Sequence, residues 1–301
     1  MNSDVLFFVK PRASKSLIKR FLTIIICLFF LAGCEETNLQ IATDAGIDAV
    51  RALTLTDDQV IRLSRNAADA ADRQNRVASP GSAYAERLRR LVGDHRAEGG
   101  YTFNHKVYLS PQVNAFAMGD GTIRVYSGLM DMMNDDELRF VIGHEMGHVV
   151  EKHVRRKMIL ALAGSAIRKG IASQENIIGE LARSGMGQFL ELLANAQFSQ
   201  EEERSADDYA LDFMKRNGYR PEMAVSALEK LAGSGNSHHF LSSHPAPDKR
   251  AERLRDRLLN PEEPETEKGL FDRAWDLIIA VLQTGYDWVT AIFARVVEFL
   301  G

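Results

Sequence analysis

The chain is poor in cysteine, and its charge is nearly balanced. Only Cys27 and Cys34 occur among 301 residues, which excludes a disulfide framework and a cysteine-ligated zinc finger. With 37 basic and 41 acidic residues, the net charge of −4 provides no electrostatic basis for nucleic acid as the main partner. Apolar residues make up 45% of the chain, a value that excludes whole-chain disorder and fits one or two folded domains.

The N-terminus also lacks an apolar run long enough to span a bilayer. Its run over residues 21–31 is about half of the ~20 residues that a membrane-spanning helix needs. Basic residues precede this run, and Leu31-Ala-Gly-Cys34 follows it, a pattern that resembles a bacterial lipobox. We therefore expect residues 1–33 to be a lipoprotein signal peptide and Cys34 to be lipidated. The alternative is an uncleaved membrane anchor with an incidental cysteine.

A lipidated Cys34 would anchor the protein to a bacterial cell envelope, facing the periplasm. We expect the outer rather than the inner membrane; Glu35, which follows the cysteine, does not by itself indicate which membrane holds the protein. Residues 34–55 then form a polar tether between the membrane and the folded domain.

Residues 56–260 predict one α+β domain that is mostly helical. A capping box at Thr56-Asp-Asp-Gln59 begins the first helix, and residues 106–109 and 122–126 have strand composition. The turn residues Gly119-Asp-Gly121 between them predict a hairpin or a small antiparallel sheet. Further helices are predicted over about 135–155, 158–198, 200–217, 221–231 and 249–259, with a loop over 233–248.

The C-terminal segment has a different pattern. Residues 261–269 read as a solvated linker, and residues 270–301 carry apolar side chains near heptad spacing, which predicts an amphipathic helix. Three arrangements fit this helix: packing on the domain, lying on the membrane, or contacting a second copy or an envelope protein.

The helix predicted over 135–155 carries His144-Glu-Met-Gly-His148. Two histidines at i and i+4 lie on one helix face, so both imidazoles can bind one ion. Glu145 is rotated by about 100° and lies beside the ion, where its carboxylate can act as a general base. His153 is expected to point away from this face. From the motif alone, a pair of structural histidines is the alternative.

A catalytic zinc needs three protein ligands and an open fourth position. Glu203 and Asp207 are one turn apart on a predicted helix, so Glu203 can complete the site while Asp207 accepts an N–H from a ligand imidazole. Spacing alone does not select Glu203 over its acidic neighbours. Glu201, Glu202 and Asp208 are interpreted as a solvated acidic face.

Four motifs together resemble the HtpX/CAAX-prenyl-protease family of zinc endopeptidases, most closely its soluble envelope lipoprotein branch. In chain order they are Asn114-Ala-Phe-Ala117, Val141-Ile-Gly-His-Glu-Met-Gly-His-Val149, Glu203-x-x-x-Asp207, and His244-Pro245 with Arg250. The resemblance covers about residues 50–260. It implies a gluzincin fold with one Zn²⁺ per chain, bound by His144, His148 and Glu203, and with Glu145 as general base and acid.

The roles of His244 and Arg250 are less determined. In related envelope members the matching His-Pro loop lies over the active site, and its histidine can approach or bind the metal. By residue type, His244 fits a transition-state donor, a fourth ligand that closes the site, or a plain loop histidine, and we favour gating. Arg250 fits an orienting partner of Glu203 or Asp207, or a surface ion pair, and the family pattern favours the site.

The segment Asn114, Ala115, Phe116 and Ala117 is expected to form an edge strand beside the cleft, to which an extended substrate adds as a further strand. Only an unfolded or locally opened chain offers such a strand, so unfolded or misfolded envelope proteins are the expected substrates. The alternative is an envelope lipoprotein chaperone or assembly factor with a latent protease site. A structural lipoprotein with an incidental HExxH is a third option.

Overall fold

The computed structural model describes residues 53–93, 95–172, 186–234 and 239–260. The predicted signal peptide over 1–33, Cys34, most of the tether over 34–55, the linker over 261–269 and the helix over 270–301 lie outside the described residues. Among the helices that the structure describes, none has the length and apolar character that crossing a membrane requires.

Five short strands form two sheets in the described part of the chain. Strands β1 (Ala97–Glu98) and β2 (Tyr101–Thr102) form an antiparallel ribbon. Strands β3 (Asn104–Tyr108), β4 (Ala115–Ala117) and β5 (Thr122–Tyr126) form a sheet in the order β3-β5-β4.

The second sheet is mixed. Strands β4 and β5 form the antiparallel hairpin that the Gly-Asp-Gly turn predicts, with Gly121 at φ +90°. Strand β5 lies between the other two strands, antiparallel to β4 on one side and parallel to β3 on the other. The two strands predicted from composition are therefore direct neighbours, but they are not the hairpin.

Helices dominate the described residues and confirm the mostly helical α+β class. In chain order they are α1 (Asp57–Gln74), α2 (Ala83–Val92), α3 (Ser127–Met132), α4 (Asp135–Val150), α5 (His153–Ala172), α6 (Met186–Asn195), α7 (Gln200–Arg216), α8 (Met223–Gly233), α9 (His239–Ser243) and α10 (Pro247–Leu259). The helix predicted over 135–155 is in fact two helices, because α4 ends at Val150 and Lys152 adopts a positive φ of +59° before α5 begins.

The two helices that carry the candidate site residues begin at capping boxes. Asn134 accepts the N–H groups of Asp136 and Glu137 at the start of α4, and the Glu137 carboxylate accepts the Asn134 N–H in return. Ser199 and Glu202 form the same reciprocal pair at the start of α7. Glu202 is therefore mostly buried, and the interpretation that it belongs to a solvated face is wrong.

Glycines allow α4 and α7 to approach each other closely. A Cβ atom added at Gly147 would lie 3.1 Å from the Tyr209 Cβ and 3.2 Å from the Ala206 Cα, and one at Gly143 would lie 3.0 Å from a ring carbon of Phe213. Since both glycines lie on the α4 face that meets α7, the two backbones pack without side chains between them. This packing brings Glu203 and Asp207 against the HExxH motif.

Candidate metal centre

The two histidines of the HExxH motif converge at the centre of the domain. Helix α4 is buried along most of its length, and His144 and His148 are 1% and 0% exposed. Their Nε2 atoms lie 3.0 Å apart, so both imidazoles direct a nitrogen to the same point. This is the arrangement that the i, i+4 spacing predicts.

Glu203 from α7 and His244, which follows α9, reach the same point. One Glu203 oxygen lies 3.3 Å from the His148 Nε2, and the other lies 3.5 Å from the His144 Nε2. The His244 Nδ1 lies 2.9 Å from the Glu203 carboxylate and 3.3 Å from the His144 Nε2. One candidate ligand atom from each of these four buried residues lies within 4.8 Å of all the others.

The protonation states of this cluster fit a cation. Burial lowers the pKa of His148 well below its usual value, which leaves the imidazole neutral, as a metal ligand must be. Burial would raise the pKa of Glu203, but the neighbouring charge of Arg250 and the contacts with the histidines outweigh it and hold the pKa far below normal. Neutral imidazoles and an ionised carboxylate are the donor set of a zinc site.

Asp207 and Arg250 support the cluster from behind. The Arg250 guanidinium donates to both Asp207 oxygens, at 2.6 and 2.8 Å, and its third nitrogen contacts Glu203. The His144 Nδ1 lies 3.0 Å from Asp207. A hydrogen bond there places the His144 proton on Nδ1 and leaves the Nε2 lone pair free to face the cluster.

His153 does not face the candidate ligand cluster, as expected, but it contacts one of the ligands from behind. Its Nδ1 lies 3.0 Å from the His148 Nδ1, and burial lowers the pKa of His153 to about 3, so its ring is neutral. The reason is the break after Val150: the turn at Lys152 starts a new helix and returns His153 to the back of His148. The i, i+5 spacing of His148 and His153 does not predict this contact, because residues five apart do not share a face of one continuous helix.

Two phenylalanines hold the imidazoles in place, and sequence reasoning missed both. Phe198 stacks on His148 with ring centroids 3.7 Å apart, and Phe240 stacks on His244 at 4.3 Å. Such stacking restricts rotation of the two rings, so their nitrogens stay directed into the cluster.

Glu145 lies beside the cluster. The carboxylate is 1% exposed, and its Oε1 lies 3.4 Å from the His244 Nε2 without meeting hydrogen-bond geometry. Burial is the main cause that raises the pKa of Glu145 to about 7, and the negative charge of Glu203 adds to it. A carboxyl group with this pKa can both accept and donate a proton near neutral pH.

The segment predicted to bind substrate forms one edge of the three-stranded sheet. The Tyr126 N–H donates to the Asn114 carbonyl at 3.0 Å, and the Met118 N–H donates to the Thr122 carbonyl at 2.8 Å. In an antiparallel pair the hydrogen-bonded residues alternate, so Phe116, midway between Asn114 and Met118, also bonds toward β5.

The intervening residues Ala115 and Ala117 therefore direct their backbone groups away from β5. β4 is the last strand of its sheet in the described chain, and Ala117 is partly exposed at this edge, whereas Ala115 is fully buried. A cavity of about 370 Å³ adjoins this edge, and Phe116, Ala117 and Ser243, the neighbour of His244, line it.

Comparisons with known proteins agree with this site. Peptidase family M48 matches residues 82–258. Metalloprotease LoiP of Escherichia coli is 42% identical over 233 residues, covering 76% of this chain and 92% of that protein. Metalloprotease YcaL of Escherichia coli is 36% identical over 249 residues, covering 80% of this chain and 97% of that protein. The β-barrel assembly-enhancing protease of Escherichia coli is 28% identical over 158 residues, covering 48% of this chain and 32% of that protein.

The family match covers more than half of the chain, and the first two relatives are covered almost completely. It confirms the resemblance that the four sequence motifs carry, and the cluster of three histidines and a glutamate agrees with one zinc ion. The chain therefore belongs to peptidase family M48 and is a zinc metalloendopeptidase.

Proposed function

We propose that this peptidase is tethered to the cell envelope and hydrolyses peptide bonds of unfolded or misassembled envelope proteins. In this proposal His144, His148 and Glu203 bind the zinc ion, and Glu145 is the general base and acid. The observation that carries the assignment is the convergence of these ligand atoms within 4.8 Å, with a carboxyl group of raised pKa beside them.

The reaction follows from these positions. Bound by His144, His148 and Glu203, a zinc ion would supply Lewis-acid polarisation of the scissile carbonyl and would lower the pKa of water from about 15.7 toward 7. Glu145 takes the proton from the attacking water and then delivers it to the leaving amine, which its pKa of about 7 favours in both directions. Asp207 and Arg250 are positioning residues that keep His144 and Glu203 in place.

His244 is proposed to gate the site. Its ring contacts both Glu203 and Glu145, so it lies where a substrate carbonyl would have to approach the general base. Substrate binding then requires His244 to move away with its loop. His244→Ala should change basal turnover of a short unstructured peptide while the zinc content stays at about one per chain. Turnover equal to that of the wild type would contradict gating.

The open edge of β4 is proposed to bind the substrate backbone. The outward amide and carbonyl groups of Ala117, which is partly exposed, can pair with an extended chain, which recognises the backbone and tolerates many side chains. Ala115 is fully buried, so pairing at Ala115 requires its cover to move. A folded protein offers no free strand for this pairing, so the selected substrates are unfolded segments.

Envelope tethering rests on the Leu31-Ala-Gly-Cys34 motif and includes lipidation of Cys34, with the outer membrane as the proposed location. The name of one relative, β-barrel assembly-enhancing protease, is compatible with envelope proteins as substrates. Labelling with a radioactive fatty acid tests the anchor, and a Cys34→Ala protein that is labelled equally would contradict it.

The decisive experiment compares the wild type with Glu145→Gln. Both proteins should contain about one zinc per chain, whereas Glu145→Gln should lose at least about 100-fold of its casein cleavage, since general base catalysis contributes 10²–10⁴-fold. Cleavage that survives this substitution would remove Glu145 from the proposal. A wild type that contains zinc and cleaves nothing would reject the enzyme assignment for these substrates.

A second function, an envelope chaperone or assembly factor with a latent protease site, is favoured by the position of His244. Because His244 already contacts Glu145 and Glu203, the described arrangement is that of a closed site. If envelope integrity in cells that carry only Glu145→Gln equals that of the wild type, binding rather than cleavage is the main activity.

A further inference from the structure

Lys157 on α5 has a position that the proposed mechanism does not use. It lines the 370 Å³ cavity beside β4, and its ammonium lies 4.2 Å from the centroid of the Phe198 ring. The other face of that ring is occupied, because Phe198 stacks on His148 at 3.7 Å. Phe198 therefore lies between the candidate ligand His148 and the Lys157 ammonium, which places the cation one aromatic ring away from the zinc site.

Lys157 differs from the basic residues that precede it in and just before α5. Lys152, Arg155 and Arg156 each form an ion pair with a carboxylate, at 3.0, 2.8 and 3.1 Å. Within the described part of the chain, no carboxylate lies within ion-pairing distance of the Lys157 ammonium. Burial lowers the pKa of Lys157 to about 8, so the side chain remains a cation at neutral pH.

The cavity around this cation is lined by both apolar and polar side chains. Phe116 and Met118 from the β4 edge form one side, and Val154, Leu190 and Leu193 from α5 and α6 form another. The one acidic residue among the described lining residues, Glu191, is exposed. This apolar surface lies beside one partly buried cation and uncharged polar groups such as Gln74, Asn75 and Asn114. The combination is complementary to a group with an apolar stem and an anionic end.

We propose that Lys157 is a specificity-determining residue whose ammonium binds a carboxylate of the substrate in the cavity beside β4. This inference rests on the proposed function, because a chain that adds to the β4 edge at Ala117 would direct alternate side chains toward the cavity. The carboxylate belongs either to an acidic side chain close to the scissile bond or to the free C-terminus of a short substrate. In both cases Lys157 supplies a charge-assisted hydrogen bond that the partial burial of its ammonium strengthens.

The first experiment uses the zinc-loaded wild type and a series of unstructured fluorogenic peptides. Glu, Gln or Lys is placed in turn at each position around one scissile bond, and a parallel set ends near the bond in a free or an amidated C-terminus. At one position Glu should exceed its isostere Gln by about tenfold in kcat/KM, which corresponds to about 1.4 kcal/mol. A preference only for the free C-terminus identifies the second source. No preference for a carboxylate at any position overturns the inference.

The second experiment changes the cation. Lys157→Gln should reduce the Glu/Gln ratio to about one, mainly through KM, and Lys157→Arg should retain the ratio. Lys215→Gln is the matched control, since Lys215 lies exposed at the end of α7, far along the chain from the cavity lining. A Glu preference that persists in Lys157→Gln contradicts the assignment of the cation. If Lys157→Gln fails to fold, Lys157→Met, which keeps the apolar stem and removes the charge, replaces it in this comparison.

Binding separates this inference from the proposed function. In a Glu145→Gln background, fluorescence anisotropy of the uncleaved peptides should show the same preference of about tenfold for Glu. Loss of that preference on adding Lys157→Gln supports the inference even if the wild type cleaves no peptide, in which case the proposed function fails by itself. Equal affinities for the Glu and Gln peptides overturn the inference while leaving the protease assignment intact.

Discussion

Replacing Gly147 by alanine should weaken zinc binding much more than it weakens the fold. The new methyl group would lie 3.1 Å from the Tyr209 Cβ and 3.2 Å from the Ala206 Cα, both closer than ordinary van der Waals contact. A backbone Cα cannot rotate away, so α7 must shift by a few tenths of an ångström. Ala206 lies between Glu203 and Asp207 in α7, and the shift therefore moves both carboxylates relative to the motif histidines.

The magnitudes separate the two effects. Overpacking a core costs about 1–3 kcal/mol, whereas alanine is better than glycine in a helix interior by about 1 kcal/mol. We expect a net loss of about 0–2 kcal/mol in the free energy of unfolding. Metal sites tolerate ligand displacements of only about 0.2 Å, so zinc affinity should fall by about tenfold or more.

The assay is competition with a chromophoric zinc chelator, combined with urea unfolding of the metal-free protein. Gly164→Ala is the control, because a Cβ atom at Gly164 in α5 would meet no atom within 4 Å. That variant should be as stable as the wild type or slightly more stable, with unchanged zinc affinity. If Gly147→Ala binds zinc as tightly as Gly164→Ala, close packing of α4 on α7 does not position the third ligand.

Three further results are expected. Asp207→Asn should lower zinc affinity about 10–100-fold in the chelator assay, because the amide removes one of the two carboxylates that pair with buried Arg250 and weakens the hold on a ligand imidazole. Unchanged affinity would count against this role. Ala117→Pro should reduce casein cleavage by tenfold or more with little loss of stability, because it removes an N–H that faces the open edge. Phe116→Pro should also destabilise the sheet, because Phe116 bonds to β5. Full activity of Ala117→Pro would exclude strand addition. Burial and nearby arginine charges lower the pKa of His105 to about 4, so between pH 6.5 and 4 the unfolded state binds a proton that the folded state does not. The free energy of unfolding should therefore decline over this range by up to about 3 kcal/mol more in the wild type than in His105→Gln. Equal declines in urea unfolding would refute this.

The parts of the site that follow from short-range geometry were predictable. The i, i+4 spacing places His144 and His148 on one face of any helix, whatever that helix packs against, and the structure brings their Nε2 atoms to 3.0 Å. The capping box at Thr56 and the Gly-Asp-Gly turn before β5 were predictable for the same reason, because each depends on a few neighbouring residues.

The parts that depend on packing were not predictable from spacing. Glu202 and Glu203 are adjacent in sequence, yet one caps its own helix and the other faces the histidines, and only the orientation of α7 against α4 decides between them. His153 reaches His148 because the helix breaks at Lys152, a residue with no special propensity for positive φ. The parallel pairing of β3 with β5 likewise depends on which edge the returning chain meets.

The sequence by itself determined the helix that carries the histidines, the acid beside them and, through four linked motifs, the family. Spacing left the third carboxylate open, the family motifs indicated Glu203, and tertiary structure showed its contacts with the histidines. Tertiary structure alone decided that Arg250 is buried with contacts to both Asp207 and Glu203, and that Lys157 faces a cavity without an ion-pair partner among the described residues. The physical reason is range: hydrogen bonds within one helix fix neighbours a turn apart, whereas contacts across a hundred residues exist only once the core has packed.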